Sequence, residues 1–216
     1  MVEGAQVEVW DRAVRVFHWS LVAFFFIAYL TGDDESALHV YAGYVVLALV
    51  VFRVVWGFVG TKHARFTDFI HGPTETLRYV KSIVSIKPLY YLGHNPLGGW
   101  MVVALLLSLI GVCWSGLEVY GKQGHGPLAQ VDIHFVLPAA ANDDDEESAR
   151  GNERDKAGEE FWEEIHEAFS NLTLVLVFLH VIGVVTGSAI HRENLVKAMI
   201  TGHKLAKRHD DVPPND

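Results

Sequence analysis

Two histidines in the last third of the chain, His166 and His180, have the type and spacing needed to ligate bound cofactors. They lie in the helix-forming segment 161–193 and are 14 residues apart. Fourteen helical steps return to within about 40° of the starting direction and rise about 21 Å. One helix face therefore carries two imidazoles at two depths, and a neutral imidazole is a good axial ligand for haem iron. This spacing indicates two haems and an electron path between the two faces of a membrane.

The helices that must position these ligands are apolar enough to cross a bilayer. Half of the 216 residues are hydrophobic, and they are grouped in blocks. A bilayer core needs roughly 20 helical residues, and the second block reaches that length only if Arg53 snorkels toward the water at its end. We therefore predict an all-α protein, a bundle of four transmembrane helices. The nearly uncharged blocks are 16–30, 40–52, 100–117 and 172–190, and the helices are expected at about 11–31, 37–59, 96–118 and 159–191.

The segments outside these helices are polar. A long acidic outer loop is expected between the third and fourth helices, and it includes the acidic stretch 142–160, for which the sequence indicates no specific role. The single membrane domain is expected to cover 1–202. The charged segment 203–216 contains two prolines and is predicted to be a disordered cytoplasmic tail.

The cysteine content limits how a haem can be held. Cys113 is the single cysteine, and the chain has no Cys-x-x-Cys-His motif. Covalent attachment of a c-type haem is therefore excluded. Any haem must be held by ligation and packing alone.

The charges separate two faces. With the N-terminus in the cytoplasm, the inner segments hold 13 of the 17 Lys and Arg residues, as the positive-inside rule requires. The outer segments hold four basic and 17 acidic residues, a net charge of −13. Such a surface attracts a basic soluble redox protein. We expect a multi-pass protein of the bacterial inner (plasma) membrane with both termini cytoplasmic, and no nucleic-acid partner.

Two further histidines are expected at the same two depths in the membrane. His18 lies near the inner end of the first helix, and His39 lies at the outer end of the second. We predict that His39 and His166 ligate an outer haem and that His18 and His180 ligate an inner one. Intramembrane histidines are costly without a role, and the third helix, which carries none, would form a wall.

Four other positions fit a haem site. Gly43 and Gly183 lie within one turn after a predicted ligand, so a flat macrocycle could pack against the helix there. Arg15 and Arg53 could pair with haem propionates, although both could instead be anchors at the membrane interface. His94 precedes the third helix and could contact a propionate or a quinone oxygen.

The chain resembles the bacterial cytochrome b561 family, the same broad group as the b-type cytochrome subunit of nickel–iron hydrogenases. The resemblance implies four helices and two non-covalent b haems with bis-histidine ligation, roles that carry over to His18, His39, His166 and His180. It also implies electron transfer with the quinone pool or a partner redox protein. The segments that carry it are VWDRAVRVFHWS, LHVYAGYVVLALVVFRVVWGFVGTKHARFTDF, YLGHNPLGGWM, HEAFSNLTLVLVFLHVIG and HRENLVKAMITG.

These observations predict a di-haem membrane cytochrome that carries electrons between quinone and a periplasmic redox partner, expected to be a c-type cytochrome. One alternative is the membrane anchor and electron-transfer subunit of a hydrogenase or other periplasmic dehydrogenase. A second is an enzyme that oxidises superoxide, which the acidic outer face disfavours because it repels anions. A transporter or scaffold would bind no haem. Quinone oxidoreductase activity and oligomer formation are compatible with the sequence.

Overall fold

The computed structural model describes residues 6–32, 36–85, 89–129 and 147–205. These residues are mostly helical, with two very short strands. A three-residue 3₁₀ turn, Lys62–Ala64, follows the second helix. The elements are β1 (Gln6–Glu8), α1 (Arg12–Leu30), α2 (Ala37–Val59), α3 (Phe66–Phe69), α4 (Pro73–Val84), α5 (Pro96–Lys122), α6 (Glu147–His191), α7 (Leu195–Thr201) and β2 (His203–Leu205).

Four of these helices are long and apolar enough to cross a membrane, as the sequence predicts. They are α1, α2, α5 and the part of α6 that covers Lys156–His191. Many of their large apolar side chains are exposed at the protein surface, for example Tyr41 and Phe58. Exposed apolar side chains are expected where the surrounding solvent is lipid rather than water.

Side-chain caps define where three of the spanning helices begin. Asp11, Ser36 and Asn95 each accept a hydrogen bond from the backbone amide three residues later, at 2.7, 3.3 and 2.7 Å. Each bond satisfies one of the amides that the first helical turn leaves unpaired. Pro96 follows Asn95 at the first helical position of α5, where its missing N–H costs nothing.

The chain divides into two compact units. The first comprises Met1–Leu107 and Leu174–Asp216, and the second comprises Ser108–Thr173. The first unit thus contains α1 to α4, the beginning of α5, the end of α6, α7 and both strands. The second contains the remainder of α5 and the beginning of α6.

A two-stranded sheet joins the N-terminal and C-terminal segments of the first unit. β1 pairs with β2 in antiparallel register, with Val7 opposite Lys204. Gly202 precedes β2 with a φ of +87°, and a side chain there would press on the Trp10 carbonyl. Trp10 belongs to a buried apolar cluster at this end of α1. The cluster consists of Val9, Trp10, Val14, Ala64 and Ala198.

This sheet corrects the prediction that 203–216 is disordered from its first residue. Residues 203–205 form β2, whereas 206–216 lie outside the described residues. Lys204 is buried, and its Nζ lies 3.8 Å from Glu193 Oε2. Three residues are too few to show the alternation of apolar and polar side chains that predicts a strand. Only the pairing with β1 in the structure identifies β2.

The last long helix begins 12 residues earlier than predicted. We expected it near residue 159, but α6 starts at Glu147 and includes much of the stretch predicted as an acidic loop. The composition of this part, rich in Glu, Ala, Arg and Lys, favours helix, and extending an existing helix costs little. The loop was expected between about residues 118 and 159, and its central part, 130–146, lies outside the described residues.

Candidate functional site

The first unit brings His18 of α1 and His180 of α6 together. Their ring centroids are 6.4 Å apart and their planes are inclined by 52°. His18 Nδ1 is buried and has no hydrogen-bond partner among the described residues. The structure therefore places the two predicted inner ligands close to each other, with their rings tilted.

His39, the first member of the predicted outer pair, is held by the preceding helix. Its Nδ1 lies 2.9 Å from the carbonyl oxygen of Ala28, near the end of α1. Because a carbonyl only accepts hydrogen bonds, Nδ1 must carry the proton, and the lone pair is then on Nε2. Histidines that bind metals are typically oriented in this way, by a carbonyl on the second nitrogen.

His166, the second member of that pair, has the same arrangement within the second unit. Its Nδ1 lies 3.0 Å from the carbonyl oxygen of Val112 and 3.2 Å from Ser115 Oγ. Nδ1 is therefore the protonated nitrogen in His166 as well, and Nε2 carries the lone pair. His39 and His166 belong to different units, and each is described within its own.

Small residues of α5 that were not predicted from the sequence allow the approach of His166. A Cβ added to Gly116 would lie 3.0 Å from His166 Cε1, and one added to Gly111 would overlap the Phe169 ring. Ser115 is fully buried, and its hydroxyl donates to the carbonyl oxygen of Gly111 at 2.7 Å. The small-x-x-x-small spacing of Gly111 and Ser115 was the available signal, because such pairs let membrane helices pack closely.

Arg53 was predicted to snorkel toward the water, but it is buried. It is only 3% exposed, and its Nη1 donates to the carbonyl oxygen of Ala64 at 3.1 Å. The guanidinium carbon also lies 5.5 Å from the Phe66 ring centroid and 5.6 Å from that of Phe69. The hydrogen bond and the two cation–π contacts partly offset the cost of burying this charge.

Arg15 holds the C-terminal part of the first unit. Its Nη1 donates to the carbonyl oxygen of Ile200 in α7 at 2.6 Å, whereas its buried Nε has no hydrogen-bond partner in the described part of the chain. Both arginines are thus engaged with backbone carbonyls near the end of the unit where His18 lies. Their predicted contacts with haem propionates stay predictions.

The two predicted glycines border open space. A Cβ added to Gly43 or to Gly183 would meet no atom of the described residues within 4 Å. Gly43 lies one turn after His39, and Gly183 lies three residues after His180. No described protein atom therefore fills the surface beside either histidine at these positions.

His94 lies in an aromatic environment in the first unit. Its ring centroid is 4.6 Å from that of Trp10 and 5.0 Å from that of Phe69, and its buried Nδ1 has no hydrogen-bond partner among the described residues. Desolvation, followed by the charges of Arg53 and Lys204, lowers the pKa of His94 from 6.5 to about 3. The imidazole is therefore neutral at pH 7. Its contact with a propionate or a quinone stays a prediction.

Comparison with known proteins decides the family. The model of the prokaryotic cytochrome b561 family matches residues 9–202, which is most of the chain. The chain belongs to this family. It is accordingly a multi-pass membrane cytochrome of b type that takes part in electron transfer.

Curated relatives of this b561 cytochrome match more than nine-tenths of its length. A probable Ni/Fe-hydrogenase B-type cytochrome subunit of Rhizobium leguminosarum bv. viciae is 24% identical, over 97% of this chain and 93% of the relative. Proteins with the same description from Azotobacter chroococcum mcd 1 and Rhodobacter capsulatus are 25% and 24% identical. Those alignments cover 96% and 93% of this chain, and 91% and 82% of the relatives. No solved structure matches the chain.

The residues of the b561 cytochrome fit the haem that its family implies. Two imidazole nitrogens on one metal atom, at about 2 Å each as in zinc sites, bring the two ring centroids to about 6 Å from each other. The 6.4 Å between the rings of His18 and His180 agrees with this requirement. His18 and His180 would therefore be the side chains that hold the iron of one haem.

Proposed function

We propose that this b561 cytochrome binds two b haems and carries electrons across the membrane between quinone and a periplasmic redox partner. The observation that carries the proposal is the 6.4 Å separation of the His18 and His180 rings. These histidines ligate one haem, and His39 and His166 ligate the other. The second pairing follows from the depths that the sequence assigns to these two residues.

Each bound haem supplies a one-electron carrier, and the protein contributes ligation, burial and orientation. The carbonyl groups of Ala28 and Val112 fix the tautomers of His39 and His166, so that Nε2 is the ligating atom. Apolar helix surfaces exclude water from both proposed haem sites. Gly43 and Gly183 leave room for a flat ring beside their histidines.

The proposed orientation places both termini in the cytoplasm and the acidic segments in the periplasm. It is supported by the distribution of Lys and Arg and by the pairing of β1 with β2, which brings both terminal segments to one side. The acidic outer face would dock a basic c-type cytochrome. Its exposed carboxylates include Glu160, Glu164 and Glu167 in the first half of α6.

A second candidate function is the electron-transfer subunit of a hydrogenase or other periplasmic dehydrogenase. The relatives described as hydrogenase b-type cytochrome subunits favour this alternative. In that case the chain would co-purify with a large redox enzyme, and electrons would pass from that enzyme to quinone. Both functions use the same two haem sites and differ in the periplasmic partner.

The first test is to purify the protein in mild detergent, measure haem per chain, and add a quinol while recording the reduced b-haem band. Two haems per chain, both reduced by the quinol, would support the quinone-linked conduit. Two haems that ignore quinol but are reduced by a co-purifying enzyme would favour the subunit role. A chain that binds no haem would overturn both.

The proposed periplasmic dock is tested separately by ionic strength. Electron transfer to a basic c-type cytochrome should slow as salt screens the acidic face. Replacing Glu160, Glu164 and Glu167 with Gln should weaken that dependence, whereas Glu75→Gln on the opposite face should leave it unchanged. A rate that ignores salt in the unmodified protein would exclude this face as the dock.

A further inference from the structure

Helix α4 carries an apolar stripe that no described residue covers. Leu77, Val80 and Val84 are 55%, 36% and 78% exposed, and their spacing places them on one helix face. On the opposite face, Tyr79 is only 2% exposed and anchors the helix to the first unit. None of these residues belongs to a spanning helix. The stripe therefore needs a partner other than the core of the protein.

Hydrogen bonding fixes the level of α4 relative to the membrane. Trp100, in the second turn of the spanning helix α5, donates from Nε1 to the carbonyl oxygen of His71 at 3.2 Å. His71 comes two residues before Pro73, where α4 begins. Tryptophan is enriched at the level of the lipid headgroups. The start of α4 therefore lies at the membrane–water boundary rather than deep in the aqueous phase.

A close backbone contact supports the same level. A Cβ added to Gly99 would overlap the Phe69 carbonyl oxygen, so the segment before α4 lies directly on the first turn of α5. Ile70, next to this contact, is also exposed and extends the apolar surface. With 12 residues, α4 is about 18 Å long, too short to cross a bilayer but long enough to lie along its surface.

The charges beside the stripe are mainly positive. Arg78 has a side chain that is 64% exposed, and Lys81 is also exposed. Glu75 is the one acidic residue of α4, and its Oε1 lies 3.9 Å from both Arg78 Nη2 and His71 Nε2. An apolar stripe flanked by cations matches a bilayer surface that contains anionic lipids.

We propose that α4 lies in the bilayer interface and binds anionic phospholipids. Leu77, Val80 and Val84 insert among the upper acyl chains, and Arg78 and Lys81 contact the headgroup phosphates. In the proposed orientation this is the cytoplasmic leaflet, where basic residues near the surface contribute most. The inference concerns lipid recognition and is independent of haem number, electron donor and electron acceptor.

The depth of α4 can be measured with spin labels on the full-length protein. Val84→Cys and Arg78→Cys, each in a Cys113→Ser background, are labelled and placed in vesicles of phosphatidylcholine with one quarter phosphatidylglycerol. We expect the label at 84 to be accessible to oxygen and shielded from a water-soluble nickel chelate, and the label at 78 to show the reverse. Equal nickel access at both positions would overturn the proposal. A label at 84 that is shielded from both reagents would also overturn it, because a protein would then cover the stripe.

The lipid preference is tested by neutralising the flanking cations. Each basic residue near an anionic surface contributes about 1 kcal/mol, or about fivefold in binding. Arg78→Gln with Lys81→Gln should therefore lower phosphatidylglycerol retention, measured by native mass spectrometry, by about 25-fold. Lys197→Gln, an exposed lysine of α7, should have little effect. Equal retention by the double variant and the unmodified protein would overturn the assignment of anionic headgroups to Arg78 and Lys81.

Discussion

The imidazole rings of His18 and His180 lie with their centroids 6.4 Å apart, although one belongs to the first long helix and the other to the last. Tertiary packing alone brings them together, because no described hydrogen bond joins the two rings. Two neutral imidazole rings at this spacing would stabilise the fold little by themselves in an apolar environment. The arrangement becomes favourable when a metal atom accepts a lone pair from each ring.

Removing either member of this pair should cost one of two haems. His18→Ala and His180→Ala should each halve the haem content per chain and leave one b-type signal in the reduced-minus-oxidised spectrum. Two different remaining signals, one from each variant, would contradict the pairing. His125→Ala, an exposed histidine after α5, is the matched control and should retain both haems.

The other two histidines should behave as a second pair. His39→Ala and His166→Ala should give the same spectrum as each other, and that spectrum should show the signal that His18→Ala loses. Each ring donates from Nδ1 to a backbone carbonyl oxygen, that of Ala28 for His39 and that of Val112 for His166, so both have the same tautomer. Redox titration of the single variants checks this, since each should follow a one-electron curve with one midpoint. If His39→Ala and His166→Ala removed different signals, the assignment by depth would be wrong.

The sequence predicts the four spanning helices well because lipid exposure leaves long uncharged blocks, which composition reveals directly. It also predicts which histidines of the first unit approach each other, since His18 and His180 share a depth. Backbone acceptors such as the Val112 carbonyl are invisible in a sequence, because every residue has one. The burial of Arg53 was missed for a related reason. Its partners are the Ala64 carbonyl and two phenylalanine rings, which only the path of the chain after α2 brings into reach.

Side chains added at Gly43 should interfere with cofactor binding more than with folding. Among the described residues, no atom lies within 4 Å of a Cβ added there, so Gly43→Ala and Gly43→Leu should be tolerated by the helix. If the macrocycle occupies that surface beside His39, Gly43→Leu should lower occupancy of that haem severalfold, and Gly43→Ala should lower it less. Haem per chain and helicity by circular dichroism are measured together. Full haem content in Gly43→Leu would place the macrocycle elsewhere. The control is Gly72→Ala, because a Cβ at Gly72 also meets no atom of the described residues within 4 Å.

Acid should weaken the first unit through His94. Its folded-state pKa is lowered from 6.5 to about 3, mainly by desolvation, so the unfolded chain binds a proton at pH 5 that the folded protein does not. Stability is therefore lost as the pH falls below about 6.5, by about 2 kcal/mol between pH 7 and pH 5. His94→Phe, which keeps an aromatic ring against Trp10, should reduce this loss. Thermal unfolding in detergent at both pH values measures it, and an equal pH effect in the variant would show that other groups are responsible.

The Asp11 carboxylate at the start of α1 should make the stability of the protein sensitive to acid. Its Oδ1 caps the helix by accepting from the Val14 amide, and its Oδ2 accepts from Trp56 Nε1 at 3.1 Å and from the Thr61 hydroxyl. Burial alone would raise the pKa of Asp11, but these hydrogen bonds outweigh it and lower the pKa below 3.8. The carboxylate therefore contributes stability that is present above pH 3.8 and is lost as the pH falls below it.

Asp11→Ala should destabilise the protein by about 2 kcal/mol, because it removes a cap and leaves the indole and hydroxyl donors without their acceptor. Asp11→Asn keeps an N-cap oxygen and should cost less. Unfolding by increasing amounts of sodium dodecyl sulfate, followed by tryptophan fluorescence, gives the comparison. A double-mutant cycle with Trp56→Phe isolates the bond between helices, since the combined loss should be smaller than the sum of the single losses. Strictly additive losses would mean that Asp11 acts as a cap for α1 alone and does not join α1 to α2.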